Sequence, residues 1–174
     1  GRITEGSITY TRATGEKIEI QKLRRTGNQM RQIRGKEISM IFQDPMSSLN
    51  PVYPIGDQIA ENIREHEKVT KREALDRARK LLEDLEIPSA AERLGDYPHQ
   101  FSGGMKQRVM IAIAMACNPR ILIADEPTTA LDVTIQAQII ALMKKLQREH
   151  GTSIMMITHN MGLVAEMADD IAVM

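Results

Sequence analysis

Hydrophobic and polar positions follow two rhythms in this chain. Near the N-terminus they alternate, in Gly6-Ser7-Ile8-Thr9-Tyr10 and Lys17-Ile18-Glu19-Ile20, and a period of two predicts short antiparallel strands around Gly15. Farther on come apolar runs without alternation: Glu37-Ile38-Ser39-Met40-Ile41-Phe42, Ile121-Leu122-Ile123-Ala124 and Ser153 to Ile157, each read as a buried strand. Between them the spacing changes to that of a helix. Residues 57–87 read as helical, and Thr70-Lys71-Arg72-Glu73 has the capping-box pattern in which Thr and Glu side chains satisfy free amides of a first turn. Ala74, Leu75, Ala78, Leu81, Leu82 and Leu85 then share one face, and Ile87-Pro88 ends the segment. A second helix is predicted from about Gly103 to Cys117, bounded by Asn118-Pro119. A third runs from about Val133 to Glu149, with Ile135, Ile139, Leu142, Met143 and Leu146 on one stripe and Gly151 closing it. A short helix follows His159, and Asp169 to Met174 enters another strand-like run. Strands alternating with helices imply an α/β fold whose sheet is mainly parallel and covered on both faces.

Composition narrows the class. The chain has 174 residues, one domain's worth, with 23 Lys+Arg balanced by 23 Asp+Glu. That balance argues against a general nucleic-acid binder, which carries a basic excess. A tract from Arg12 to Lys36 holds eight basic and two acidic residues and reads as a solvated face or loop. Cys117 is the single cysteine, so an internal disulfide framework and a Cys-rich zinc site are excluded. The longest purely apolar run, Val109 to Cys117, is nine residues, about half of a membrane span. No signal-peptide pattern opens the chain, and the composition predicts a soluble, cytosolic domain. It starts at Gly1 and stops inside an apolar run, and the expectation is an internal segment of a longer protein.

Candidate chemistry lies at strand ends. Ile121 to Ala124 delivers Asp125 and Glu126 at the edge where open α/β sheets bind ligands. Asp125 can hold Mg²⁺ through its water shell, and Glu126 can orient or deprotonate a water; the pair can equally cap the following helix. Phe101-Ser102-Gly103-Gly104-Met105 opens a helix whose glycines let backbone amides approach an anion, while Ser102 can either N-cap the helix or donate to a phosphate oxygen. His159 and Gln43 each follow a strand; the first suits a structural role as well as a catalytic one, and the second can reach a metal or water.

Taken in order, these residues resemble the ATP-binding cassette (ABC) ATPases. Gln43 matches the Q-loop, Phe101 to Met105 the signature motif, and Ile121 to Glu126 Walker B; Ala130-Leu131-Asp132 matches the D-loop and His159 the switch histidine. Met40 to Pro51, Tyr97 to Met105 and Ala124 to Gln138 are similar to the subgroup serving bacterial dipeptide, oligopeptide and nickel importers. Met105 stands where many members have Gln, and Asn160 follows the switch histidine where Asp is commoner. The family's Gly-x-x-x-x-Gly-Lys-[Ser/Thr] phosphate loop does not occur: the one Gly-Lys pair, Gly35-Lys36, is followed by Glu37, and Met30 stands where the first glycine would be.

The resemblance implies a P-loop NTPase-like ABC ATPase domain, truncated at both ends, with N-terminal antiparallel strands and an inserted helical subdomain. Residues 1–43 would end the N-terminal part of the core, 44–100 carry the Q-loop and helical subdomain, and 101–174 the remaining motifs. It implies ATP and Mg²⁺ as ligands, with Glu126, His159 and Gln43 catalytic, Asp125 and Gln43 toward the metal, and Ser102, Gly103, Gly104 and Asp132 toward nucleotide. Two subunits would pair head to tail, each lending its signature motif to the other's ATP. Further partners would be membrane permease subunits and, indirectly, a solute-binding protein, at the cytoplasmic face of a bacterial or archaeal plasma membrane; nucleic acid is not expected. A soluble, non-transport ABC-type ATPase shares these motifs, and the chain by itself could offer its signature helix to a partner's ATP while binding none.

Overall fold

In the computed structural model, residues 5–43, 48–129 and 131–173 are described. Asp44 to Ser47 and Ala130, which carry part of the motif pattern, lie outside them. The N-terminal alternation forms strands β1 (Thr9–Thr11) and β2 (Lys17–Glu19), paired antiparallel with Tyr10 opposite Ile18. Both of those side chains are buried, and Gly15 takes φ +83° in the connecting turn, a conformation that favours glycine. The basic tract is more ordered than a loop. It contains a short 3₁₀ turn, Ile20–Lys22, and helix α1 (Asn28–Ile33), because Ile33 is buried and anchors the segment.

Three strands build the parallel sheet: β3 (Ile38–Ile41), β4 (Ile121–Asp125) and β5 (Ser153–Ile157), in the order β3-β4-β5. The register sets Ile38 beside Ile121 and Ile121 beside Ser153, so the C-terminal ends of all three strands fall at one edge. The β3–β4 connection holds α2 (Ile55–His66), α3 (Lys71–Asp84), α4 (Ala90–Arg93) and α5 (Gly103–Met115). Helix α6 (Val133–His150) links β4 to β5, and α7 (Met161–Met167) follows.

The helical stretch expected over 57–87 is two helices. Glu67 leaves α2 in an extended conformation, and Thr70 starts α3 by accepting from the Glu73 amide while the Glu73 carboxylate accepts from the Thr70 amide at 2.8 Å. The capping box satisfies amides that a continuous helix would have bonded internally, so the chain turns between them. One cluster of buried apolar side chains runs from Ile41 through Ile55, Ile59 and Ile63 of α2, Ala74, Ala78 and Leu82 of α3 and the C-terminal half of α5, Val109 to Met115, to Ile139 and Leu146 of α6. Arg108 of α5 is buried within it and donates to the Leu85 carbonyl (2.8 Å), Glu86 (3.1 Å) and Gln138 on α6 (3.1 Å), tying three elements together.

Two expectations fail here. The sheet is covered on one face only among the described residues: Ser39, Ile41, Leu122 and Ala124 are buried, whereas Met40, Met155 and Ile157 on the other face are 37%, 52% and 44% exposed. Residues 171–173 do not form a strand, and Ile171 and Val173 are exposed. A strand needs a ladder partner, and no described backbone supplies one there.

Candidate functional site

The sheet edge is where the chemistry gathers, and the backbone explains why. The Glu126 amide donates to the Ile157 carbonyl at 2.9 Å, continuing the ladder, and the residue then turns into the left-handed region at φ +46°. For a non-glycine residue that conformation costs on the order of 1–3 kcal/mol and persists only where its surroundings hold it. The turn is held by the Thr129 amide, which donates to the Glu126 carbonyl at 3.1 Å, and by Thr128, which is buried and whose hydroxyl accepts from Gln136 of α6 at 2.8 Å.

Three side chains converge on the Glu126 carboxylate. His159 Nδ1, from the loop after β5, lies 2.8 Å from Oε1. Gln43 Nε2, from the end of β3, donates to Oε2 at 2.8 Å, and the Thr129 hydroxyl donates to the same oxygen at 2.9 Å. His159 first, then Thr129, with Gln43 a smaller contributor, hold the Glu126 carboxyl below the ordinary glutamate range. An ionised carboxylate only accepts, which puts the His159 proton on Nδ1. Residues 83 and 33 positions from Glu126 in sequence thus meet on one carboxylate.

Asp125 precedes this cluster on β4, and no described residue donates to its carboxylate. An unengaged carboxylate at this sheet edge suits a cation that keeps most of its water, as magnesium does. A denser protein cage is absent: no group of three or more His, Cys, Asp or Glu able to hold a metal occurs among the described residues.

The signature-like segment stands apart. No described hydrogen bond joins Ser102, Gly103, Gly104 or Asp132 to the Glu126 cluster. Ser102 and Asp132 act as N-caps, their side chains accepting from the amides of Met105 (3.3 Å) and Ile135 (3.0 Å). Gly104 has a packing reason of its own, since a Cβ there would come within 2.8 Å of Ile135 Cγ2. Asn160 caps α7, its side-chain oxygen accepting from Gly162 at 2.9 Å, so Asn fills that place without disturbing His159's contact.

Sequence reasoning picked out Gln43, Asp125, Glu126 and His159 and missed Thr129. Its signal was slight: a hydroxyl three residues beyond the acid, in a loop with no periodicity.

The model of the family described as ABC transporter matches residues 2–129. The chain belongs to the ABC transporter family. Among curated ABC proteins, a Brucella melitensis protein named as a peptide import ATP-binding protein is 53% identical over 174 residues, covering all of this chain and 51% of that protein. The glutathione import ATP-binding protein GsiA of Escherichia coli is 54% identical, again over the whole chain and 28% of its own length. The chain therefore spans about half of the first of these relatives and less of the second. Among solved structures, a dimeric ATP-binding cassette in a post-hydrolysis state, bound to ADP and Pi, superposes with a TM-score of 0.76 at 30% identity, covering 92% of this chain and 65% of that one. Another, cbiO1 from Clostridium perfringens, part of an ABC transporter complex, gives 0.65 at 28% identity over 74% of this chain and 49% of its own. These cassettes share the α/β architecture of strands β3 to β5 and their helices, a P-loop NTPase-like ABC fold. No described helix is long and apolar enough to cross a membrane.

Proposed function

We propose that this chain is the catalytic part of an ATP-hydrolysing subunit of an ABC importer for di- or oligopeptides. The observation that carries the reading is the Glu126 carboxylate, held at a sheet edge by Gln43, Thr129 and His159. Glu126 is the group that takes a proton from the attacking water; His159 fixes its orientation and is positioned for the γ-phosphate side of the site. Asp125 and Gln43 would hold Mg²⁺, which when bound neutralises phosphate charge. Ser102, Gly103 and Gly104 have no hydrogen bond to that cluster, which supports their serving a second subunit's nucleotide rather than this one's. Asp132, capping α6 at the end of the same loop as Thr129, links the two kinds of site. The partners are then a second ATPase subunit and membrane permease subunits on the cytoplasmic face of a bacterial or archaeal plasma membrane, with a solute-binding protein acting through the permease. The names of the curated relatives support import of peptides or a peptide-like solute.

The test is Glu126→Gln in the complete subunit. Loss of a general base lowers turnover by roughly 10²–10⁴-fold, and the variant should still bind ATP and accumulate a closed dimer on gel filtration. Wild-type turnover in this variant would remove Glu126 from the mechanism.

A further inference from the structure

Of the three donors to Glu126, two have other duties in the reading above: Gln43 toward the metal and His159 toward phosphate. Thr129 has none. It sits three residues beyond Glu126, its amide closes the turn on the Glu126 carbonyl at 3.1 Å, and its hydroxyl reaches Oε2 at 2.9 Å. The loop beneath is anchored, because the buried Thr128 hydroxyl accepts from Gln136 at 2.8 Å and the Thr128 carbonyl accepts from the Leu131 amide at 3.3 Å. Thr129 itself is exposed, so its hydroxyl is not required to satisfy a buried partner.

We propose that Thr129 is a positioning residue for the hydrolytic base: its hydroxyl holds the Glu126 carboxylate in one orientation when Gln43 and His159 turn to their ligands. The proposal rests on Glu126 being that base. A glutamate side chain has three rotatable bonds, and Glu126 sits on a left-handed backbone at φ +46° just past β4, so its carboxylate is oriented by the donors that reach it. A short donor on an anchored loop supplies that restraint from within the same turn. Because it acts on orientation rather than on nucleotide contact, its loss should slow the chemical step and leave substrate binding alone.

The experiment compares Thr129→Val, Thr129→Ser and Glu126→Gln in the complete subunit assembled with its transporter partners. Valine keeps the shape and removes the donor; serine keeps the donor. The expected result is a fall in kcat of about 10-fold for Thr129→Val, the order of one lost hydrogen bond to a charged group. The KM for ATP should stay within about 2-fold, and Thr129→Ser should restore most of the rate. Adding Thr129→Val to Glu126→Gln should cost nothing further, since the two act through one carboxylate. A second readout uses the subunit with a non-hydrolysable ATP analogue bound, when Gln43 and His159 face their ligands: side-chain NMR couplings of Glu126 should report a single rotamer in wild type and Thr129→Ser and averaging in Thr129→Val. An unchanged kcat in Thr129→Val with an inactive Glu126→Gln would overturn the Thr129 role alone. So would a rate loss that Thr129→Ser fails to rescue or that appears equally in KM. An active Glu126→Gln would overturn both this role and the base it serves.

Discussion

Several residues here carry a structural duty that coincides with a chemical one. Ser102 and Asp132 cap helices whether or not they ever meet nucleotide, and capping alone gives a reason for each. Glu126 differs, because its backbone is held in a costly conformation and its carboxylate collects donors from three separate places. Strain with convergent polar groups is what supports the catalytic role proposed for Glu126, since packing alone gives no reason for it. Cys117 shows the opposite case. It is buried, its thiol contacts the Asn62 carbonyl, and burial, reinforced by Glu67, pushes its pKa up to about 11. Only the thiolate reacts, so Cys117 should resist a disulfide reagent at pH 8 in the native protein and react promptly once denaturant is added. Fast native labelling in a spectrophotometric thiol assay would show that the site is open. Gln43, Glu126 and His159 were legible in sequence because each follows an apolar strand. Thr129 was not, since its bond exists only through the turn that Glu126's positive φ creates.

At the level of elements, the local signals that held were those with a closed hydrogen-bond rationale. The Thr70 capping box forms as its sequence predicts, and Gly151 ends α6 in the left-handed conformation at φ +65°. Thr70→Ala removes the hydroxyl that accepts from Glu73 and leaves an orphan amide at the start of α3. The expected cost is about 1 kcal/mol, a drop in melting temperature of roughly 3 °C for a chain of this size, read by circular dichroism. A melting curve indistinguishable from wild type would mean that packing of Ala74, Ala78 and Leu82 fixes α3 without the cap. The break between α2 and α3 was less legible than the cap itself. Glu67, Lys68, Val69 and Thr70 interrupt the apolar stripe for only about one turn between the buried Ile63 of α2 and Ala74 of α3.

Across the whole molecule, ion pairs stitch helices that hydrophobic packing has already brought close. Arg77 of α3 donates to Glu67 at 2.5 Å and to the Ala116 carbonyl beyond α5 at 3.0 Å, joining the α2–α3 turn to the end of the signature-like helix. The Arg77 guanidinium, opposed by partial burial, holds the Glu67 carboxyl below its ordinary value of 4.5. A lowered folded pKa makes the pair's contribution complete above the ordinary glutamate value and lost as the pH falls through the folded one. Wild-type melting temperature should therefore fall more steeply below about pH 4.5 than that of Glu67→Gln, which lacks the titrating group. Parallel pH curves for the two proteins would show that the pair adds no linked stability. The unevenly covered sheet belongs to this scale too: among the described residues Ile41, Leu122 and Ala124 are buried on one face, and the opposite face carries Met40, Met155 and Ile157 partly exposed.

Sequence by itself determined the type of most elements, the parallel sense of the sheet and which strand ends bring candidate residues to one edge, because hydrophobic period and capping hydrogen bonds are local and act within a few residues. Family membership followed from the order of Gln43, the Ser102–Gly104 segment, Asp125-Glu126 and His159 along the chain, which needs no coordinates. Tertiary structure alone decided that Gln43, Thr129 and His159 share one carboxylate, that Gly104 is small because Ile135 presses on it, and that only one face of the sheet is covered. Each of these depends on contacts between positions distant in sequence or on a single backbone torsion, and a linear pattern of residue types carries neither.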